Sequence, residues 1–290
     1  MIAPSQRLRR FWRHRLAVNG LAIMATVAGL ALAAERIAPR SPTAQQVLLR
    51  LRPPGFKDPR SGRVAWLGTD HLGRDILSRI IYGSRVSLVV SLPSVALSAL
   101  IGMTLGLLAG YYGGLIDVFV MRSVDLQLAF PFILLALSIV ALMGPSLRNI
   151  VIVFVITTWP AYARTTRGVV LVLRAQDFVQ AARSLGAGDR RILWRHVAPG
   201  VVSPLTVLAS FEVARMIILE AALGFLGLGV PPPTPTWGSM LADGRDYLRD
   251  AWWIALFPGL AIMLTAAGSN FLGDGLRDML DPTLRNVEGT

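Results

Sequence analysis

Ionisable residues inside long apolar stretches are the first candidates for chemistry in this sequence: Asp125, Glu212, Arg215 and Glu220. A charge in hydrocarbon is costly, so such residues face a bundle interior or a water-filled cavity and mark pathways by default. Glu212 and Arg215 are three residues apart, which on a helix places opposite charges on one face. Two interpretations stay open: residues that line a pathway, or ion pairs that neutralise each other within a bundle.

A polar interruption at 166–199 predicts a short helix-turn-helix outside the membrane. The residues that follow Asp177 have a helical pattern, Gly186 breaks it, and Asp189 is placed to cap a second helix that Pro199 would end. Its apolar side offers an anchor for the groove of a partner. The same pattern is also typical of an interfacial amphipathic helix whose arginines contact lipid headgroups.

The sequence lacks the residues that most enzyme and cofactor sites need. The chain has no cysteine, which excludes a thiolate metal site and a cysteine nucleophile. His14, His71 and His196 show no metal-binding spacing, and Asp70 beside His71 is too common an arrangement to predict a site. The single lysine, Lys57, lies in no phosphate-binding loop. We therefore predict no catalytic residue, no metal and no cofactor in this chain.

The composition indicates which elements position these residues. Of 290 residues, 53% are hydrophobic and only 16% are charged, against about 25% charged in soluble domains. Six membrane spans of roughly 20 to 25 residues would use about half of such a chain. The predicted fold class is an all-α membrane protein with six transmembrane helices.

Six apolar runs are predicted as the spans, and the first is too long for the apolar part of a signal peptide. The predicted spans are 16–34, 86–110, 118–143, 150–165, 201–222 and 252–270. The segments between and around them are the tail 1–15, the external segment 35–85 with an amphipathic helix at 76–81, the cytoplasmic loop 166–199, the external loop 229–251 and the tail 276–290.

Charge gives an orientation. The formal net charge is +12, and the arginine-rich tail 1–15 and the arginine-rich loop 166–199 are both expected in the cytoplasm. An even number of spans then places both termini there. The external segment 35–85 is basic as well, so the charge distribution alone gives only weak support. Without an aromatic-interleaved basic face, the excess charge indicates lipid headgroups as partner and no nucleic acid.

Several ordered motifs resemble one family, the inner-membrane permease subunits of ATP-binding-cassette importers of the dipeptide, oligopeptide and nickel group, most of all its dipeptide permease C type. The resemblance covers about 67–285. The segments that carry it are LGTDHLGRD at 67–75, AGYYGG at 109–114, ALGFLG at 222–227 with Trp237, and GDGLRD at 273–278 followed by Asp281 and Pro282.

The cytoplasmic loop resembles the coupling loop of those permeases. Ala181, Ala182, Gly186 and Pro199 match the family pattern, whereas Gln180, His196 and Ala198 depart from it. The resemblance implies that this loop docks in a groove of an ATPase subunit. The residues expected to carry this coupling are Gln180, Ala181, Ala182, Ser184, Gly186, Ala187, Asp189 and Arg191.

The resemblance further implies a type I ABC importer permease fold with its core over 82–275, in a bacterial or archaeal cytoplasmic membrane. It implies as partners a homologous permease, two ATPase subunits that bind ATP and Mg, and an external substrate-binding protein. The expected cargo is a di- or oligopeptide, and the chain is expected not to be an enzyme. The same architecture could import nickel chelates, glutathione or another small solute. An alternative of another class is a self-sufficient carrier or channel, which an acidic or histidine relay would indicate.

Overall fold

The computed structural model describes residues 14–280, so residues 1–13 of the predicted tail 1–15 and residues 281–290 of the predicted tail 276–290, with the motif residues Asp281 and Pro282, lie outside the described residues. The described part is mostly helical, which confirms the all-α class. The helices are α1 (Arg15–Leu32), α2 (Ala34–Ile37), α3 (Ile76–Tyr112), α4 (Gly114–Leu128), α5 (Phe132–Met143), α6 (Leu147–Leu173), α7 (Asp177–Ser184), α8 (Asp189–Ile192), α9 (Ala198–Phe225), α10 (Trp237–Arg245) and α11 (Trp253–Leu280).

Between α2 and α3, the external segment contains a short antiparallel pair, β1 (Phe56–Lys57) and β2 (Val64–Ala65), after a single 3₁₀ turn. Four membrane-crossing stretches are found in the described chain by length and apolar composition: α1, α3, α9 with the turns before it, and α11. Helices α4 and α5 make a fifth if they count as one bent span. Helix α6 has 27 residues and contains the remaining predicted span, so the structure is consistent with six spans.

The amphipathic helix predicted at 76–81 is not a separate element, because these residues form the first turns of α3. Asp75 caps α3 by accepting a hydrogen bond from the Ser78 backbone N–H at 2.8 Å. Ile76 and Ile81 are buried within the protein rather than laid on a membrane surface. At 37 residues, α3 is about 55 Å long and runs from the external segment to the cytoplasmic loop.

The third predicted span, 118–143, is broken. Helices α4 and α5 meet at an angle of 90°, with Pro131 immediately before α5. Proline lacks a backbone N–H and disfavours helix in the residue before it. The bend therefore has a local cause at Pro131. The prediction of one straight span rested on the length of the apolar run and did not take this proline into account.

Small residues let the long helices approach closely. A Cβ atom built on Gly102 of α3 would lie 2.5 Å from Cβ of Tyr162 on α6, and Gly106 is equally close to the Ala163 carbonyl. Such spacing of small residues is typical of membrane helix pairs that pack backbone against backbone. Helix α11 packs on the other side of the bundle against α1 and α9.

The external segment is fixed to the bundle at several points. Nε1 of Trp253, at the start of α11, donates to the Thr69 carbonyl at 3.1 Å. The Arg40 backbone N–H donates to Oγ of Ser78 on α3 at 3.0 Å. Residues 38–75 therefore form a folded layer over the N-terminal ends of α3 and α11.

Candidate functional site

The polar loop 166–199 folds as the predicted helix-turn-helix. Helix α7 begins at Asp177, where the helical pattern was predicted to start, and Gly186 closes it with φ of +79°, a left-handed conformation that glycine adopts without steric cost. The Ala187 N–H donates to the Ala182 carbonyl at 3.1 Å across this turn. Helix α8 then begins at Asp189, so the two short helices of the prediction are present.

Two details of that prediction are wrong. Asp189 does not cap α8, because Gly188 holds the cap position and Asp189 is the first helical residue. Pro199 does not end the second helix either: a π-helical turn over Leu193–Val197 joins α8 to α9 without a break. Pro199 is the second residue of α9 and follows the π-helical turn directly, so its missing N–H removes a hydrogen bond without ending the helix. The loop is thus continuous with a membrane span.

Side chains tie the loop to the C-terminal end of α3. The Tyr111 hydroxyl donates to Oδ1 of Asp189 at 2.7 Å. Nη1 of Arg174, just beyond α6, donates to the Gly110 carbonyl at 3.0 Å, where α3 leaves unpaired carbonyls. Sequence reasoning missed Tyr111 as a functional candidate, although it lies within the AGYYGG motif. Asp189 therefore anchors the loop rather than capping a helix.

The predicted coupling residues share one small surface. Gln180, Ala181, Ser184, Gly186, Asp189 and Arg191 are exposed, whereas Ala182 and Ala187 are half-buried against the core. Large apolar side chains next to them are also exposed: Phe178, Leu185 and Trp194. Leu185 at the turn is 88% exposed, and the three side chains together form an exposed apolar group of the kind that marks interaction surfaces.

Glu212 and Arg215 form an ion pair near the middle of α9. Nη1 of Arg215 donates to Oε1 and Oε2 of Glu212 at 3.2 and 3.4 Å. The Arg215 guanidinium carbon lies 5.9 Å from the ring centre of Phe132, the first residue of α5, within the range of a cation–π contact. Glu212 is buried, but Arg215 is half exposed.

The structure places the other two membrane candidates in separate pairings. Glu220 is fully buried and accepts from Oγ of Ser87 on α3 at 3.2 Å. Asp125 on α4 accepts from Nη2 of Arg164 on α6 at 2.6 Å, and both of these side chains are about half exposed. The four candidates therefore do not share one polar cluster, and each pairing joins different parts of the bundle.

An ion-pair network on the external side was not foreseen. Asp70 pairs with Arg74 at 2.6 Å and with Arg79, while Arg74 reaches Asp243 of α10 at 2.9 Å. Burial would raise the pKa of Asp70, but Arg79 and Arg74 outweigh this effect and the pKa is lowered. Asp70, His71 and Asp243 bring ligand atoms within 4.8 Å of one another. Both carboxylates are already paired with arginines, so this cluster ties α10 to the external segment.

Comparison with known proteins gives a consistent result. The family described as "Binding-protein-dependent transport system inner membrane component" matches residues 102–286, and "N-terminal TM domain of oligopeptide transport permease C" matches residues 5–54.

Named relatives extend over almost the whole chain. The di/tripeptide transport system permease protein DppC of Pseudomonas aeruginosa is 45% identical over 99% of this chain and 95% of the relative. The dipeptide transport system permease protein DppC of Haemophilus influenzae is 39% identical over 98% and 97%. The glutathione transport system permease protein GsiD of Pectobacterium atrosepticum is 50% identical over 76% and 73%.

These matches agree with the helical bundle and with the folded helix-turn-helix between α6 and α9. They confirm that the chain is a multi-pass inner-membrane permease component. Members of this family are not enzymes. The chain belongs to the family of binding-protein-dependent transport system inner membrane components, and it is a permease of an ATP-binding-cassette importer.

Proposed function

We propose that this chain forms half of a translocation pathway for di- or oligopeptides and that it is driven by ATPase subunits through the helix-turn-helix of α7 and α8. The partners are a homologous permease, two ATPase subunits that hold ATP and Mg, and an external substrate-binding protein. Peptides are favoured as cargo because two of the relatives above carry di- or tripeptide names. Both termini lie in the cytoplasm.

The observation that carries the coupling role is the continuity of the loop with α9. A partner that moves the turn at Gly186 moves α8, and the unbroken π-helical turn passes this displacement to a membrane span. The exposed Phe178, Leu185 and Trp194 supply the apolar anchors that a groove on the ATPase would take up. A short rigid element attached to a bundle with two packings is a recognised way to transmit motion.

A glycine substitution tests this role. Gly186→Leu should abolish solute uptake by the assembled transporter while the chain stays in the membrane with its partner permease. The matched control is Gly144→Leu in the turn between α5 and α6. Gly144 has φ of +80°, against +79° for Gly186, and neither position has an atom within 4 Å of an added Cβ. Gly144 has ψ of 158°, a conformation that is essentially restricted to glycine, so its leucine variant is a stringent control for backbone strain. Normal uptake by Gly186→Leu would contradict the coupling role.

Glutathione is a second candidate cargo, since the relative GsiD is named for it. A self-sufficient carrier is the alternative of another class. The purified complex should hydrolyse ATP faster when the loaded binding protein is added. Robust transport by this chain alone in vesicles would refute the subunit role, and mass spectrometry of the solute retained by the binding protein would decide between peptide and glutathione.

Among the membrane candidates, we assign Glu212 and Arg215 to the pathway. The Arg215 side chain is exposed at mid-span, where contact with lipid would be costly. Glu220 is buried against α3 and holds the bundle together. Asp125 joins α4 to α6 through Arg164.

A further inference from the structure

Arg215 has more hydrogen-bonding capacity than its neighbours use. A guanidinium carries five N–H donors. Among the described residues 14–280, every hydrogen bond found for this side chain runs from Nη1 to Glu212. The side chain is 49% exposed. One edge of the guanidinium is therefore fixed, and its remaining N–H groups have no hydrogen-bond partner among the described residues.

The surroundings indicate a water-accessible surface at this depth. Arg215 is the eighteenth of the 28 residues of α9, about 15 Å along the axis from the nearer end of the helix, and it lies within the predicted span 201–222. Beside it, the break between α4 and α5 is exposed, with Phe130 62% accessible. Non-helical backbone at membrane depth is tolerated only where it is buried in protein or lines a watery cavity. The exposed guanidinium and the exposed helix break both indicate that this surface contacts water or protein rather than lipid.

The pair is arranged to hold a planar cation in one orientation. Glu212 is buried and fixes Nη1, and the ring of Phe132 lies 5.9 Å from the guanidinium carbon. Glu212 balances the charge of Arg215, so the surface carries no isolated charge. A fixed guanidinium with a free edge matches a carboxylate through two parallel hydrogen bonds.

We propose that Arg215 binds a carboxylate of the transported solute during its passage, with Glu212 as the positioning residue. This inference rests on the proposed function, because a peptide with a free C-terminus presents such a group. The alternative is that Arg215 pairs with an acidic residue of the partner permease, and the test below distinguishes the two.

The test uses the assembled transporter in vesicles, with its binding protein and ATPases. The probes are labelled Ala-Ala and its C-terminal amide, each at a concentration that saturates the binding protein. Arg215→Gln should lower Ala-Ala uptake about ten- to a hundredfold, the effect expected for a lost charge-assisted contact. Uptake of the amide by Arg215→Gln should stay within about twofold of its wild-type rate, whatever that rate is. Arg215→Lys keeps the charge and should recover part of the loss.

The matched control is Arg148→Gln, the same change at an exposed arginine in the first turn of α6, and it should leave both probes unaffected. Ala-Ala uptake within about twofold of wild type in Arg215→Gln would overturn the inference, as would equal losses for both probes. Loss of the partner permease from purified Arg215→Gln would assign the residue to the subunit interface instead. A wild-type complex whose ATPase ignores the loaded binding protein would refute the proposed function itself, whereas equal losses refute only the carboxylate site.

Discussion

The contact between Tyr111 and Asp189 gives a sharp test of how the loop is held. Tyr111→Phe removes only the hydroxyl that donates to Asp189 at 2.7 Å. Hydrogen bonds to charged groups contribute about 1.5–3 kcal/mol, but the Asp189 side chain is 61% exposed, so solvent screening reduces the value to about 1 kcal/mol. About 1 kcal/mol is roughly a fivefold change in an equilibrium constant.

The assay is ATP hydrolysis by the purified complex, with and without the loaded binding protein. Tyr111→Phe should reduce the stimulated rate by up to about fivefold, because the loop spends more time detached from α3. The unstimulated rate should stay unchanged. Tyr112→Phe is the matched control, since it is the same change at an adjacent tyrosine that is half exposed and whose hydroxyl has no hydrogen bond within residues 14–280.

A double-mutant cycle separates this contact from general damage. If the hydroxyl acts through Asp189, then Tyr111→Phe should have little further effect in an Asp189→Ala background. Equal stimulated rates for Tyr111→Phe and Tyr112→Phe would refute the reasoning. So would full additivity of the Tyr111 and Asp189 changes.

Three further outcomes are expected. Asp70→Asn leaves Asp243 as the remaining carboxylate beside Arg74 and the buried Arg79, so the complex should lose stability at neutral pH, by at most the roughly 3–5 kcal/mol of a fully broken buried pair. Because the pKa of Asp70 is lowered in the folded state, this stability is present above the ordinary value of 3.8 and is lost as the pH falls through the lower folded value; a thermal-melting difference that does not narrow on acidification would contradict this. Gly102→Ala should destabilise the α3–α6 contact by about 1–3 kcal/mol in thermal melting, whereas Gly29→Ala, with open space around it, should have no such effect. Since the chain has no cysteine, Ser41→Cys should react with an impermeant maleimide outside intact cells and Ser184→Cys should not; the reverse pattern would invert the topology.

Local features were predictable from sequence. The bounds of α7 and the turn at Gly186 follow from capping and glycine signals within a few residues. The external network was not predictable, because Arg74 and Asp243 are 169 positions apart and no spacing rule joins them. The bend at Pro131 had a visible local signal, but an apolar run of span length was taken as one straight helix.

The most consequential difference concerns Pro199. Taken as a helix stop, it would separate the loop from the fifth predicted span and make the loop a flexible attachment. In the structure it lies in the first turn of α9, so α8, the π-helical turn and α9 form one continuous element. Arg215 follows 16 residues later on that element, about 24 Å along the helix axis. A partner that displaces the loop therefore also displaces the surface around Arg215, because the sites proposed for energy coupling and for solute contact belong to one continuous helical element.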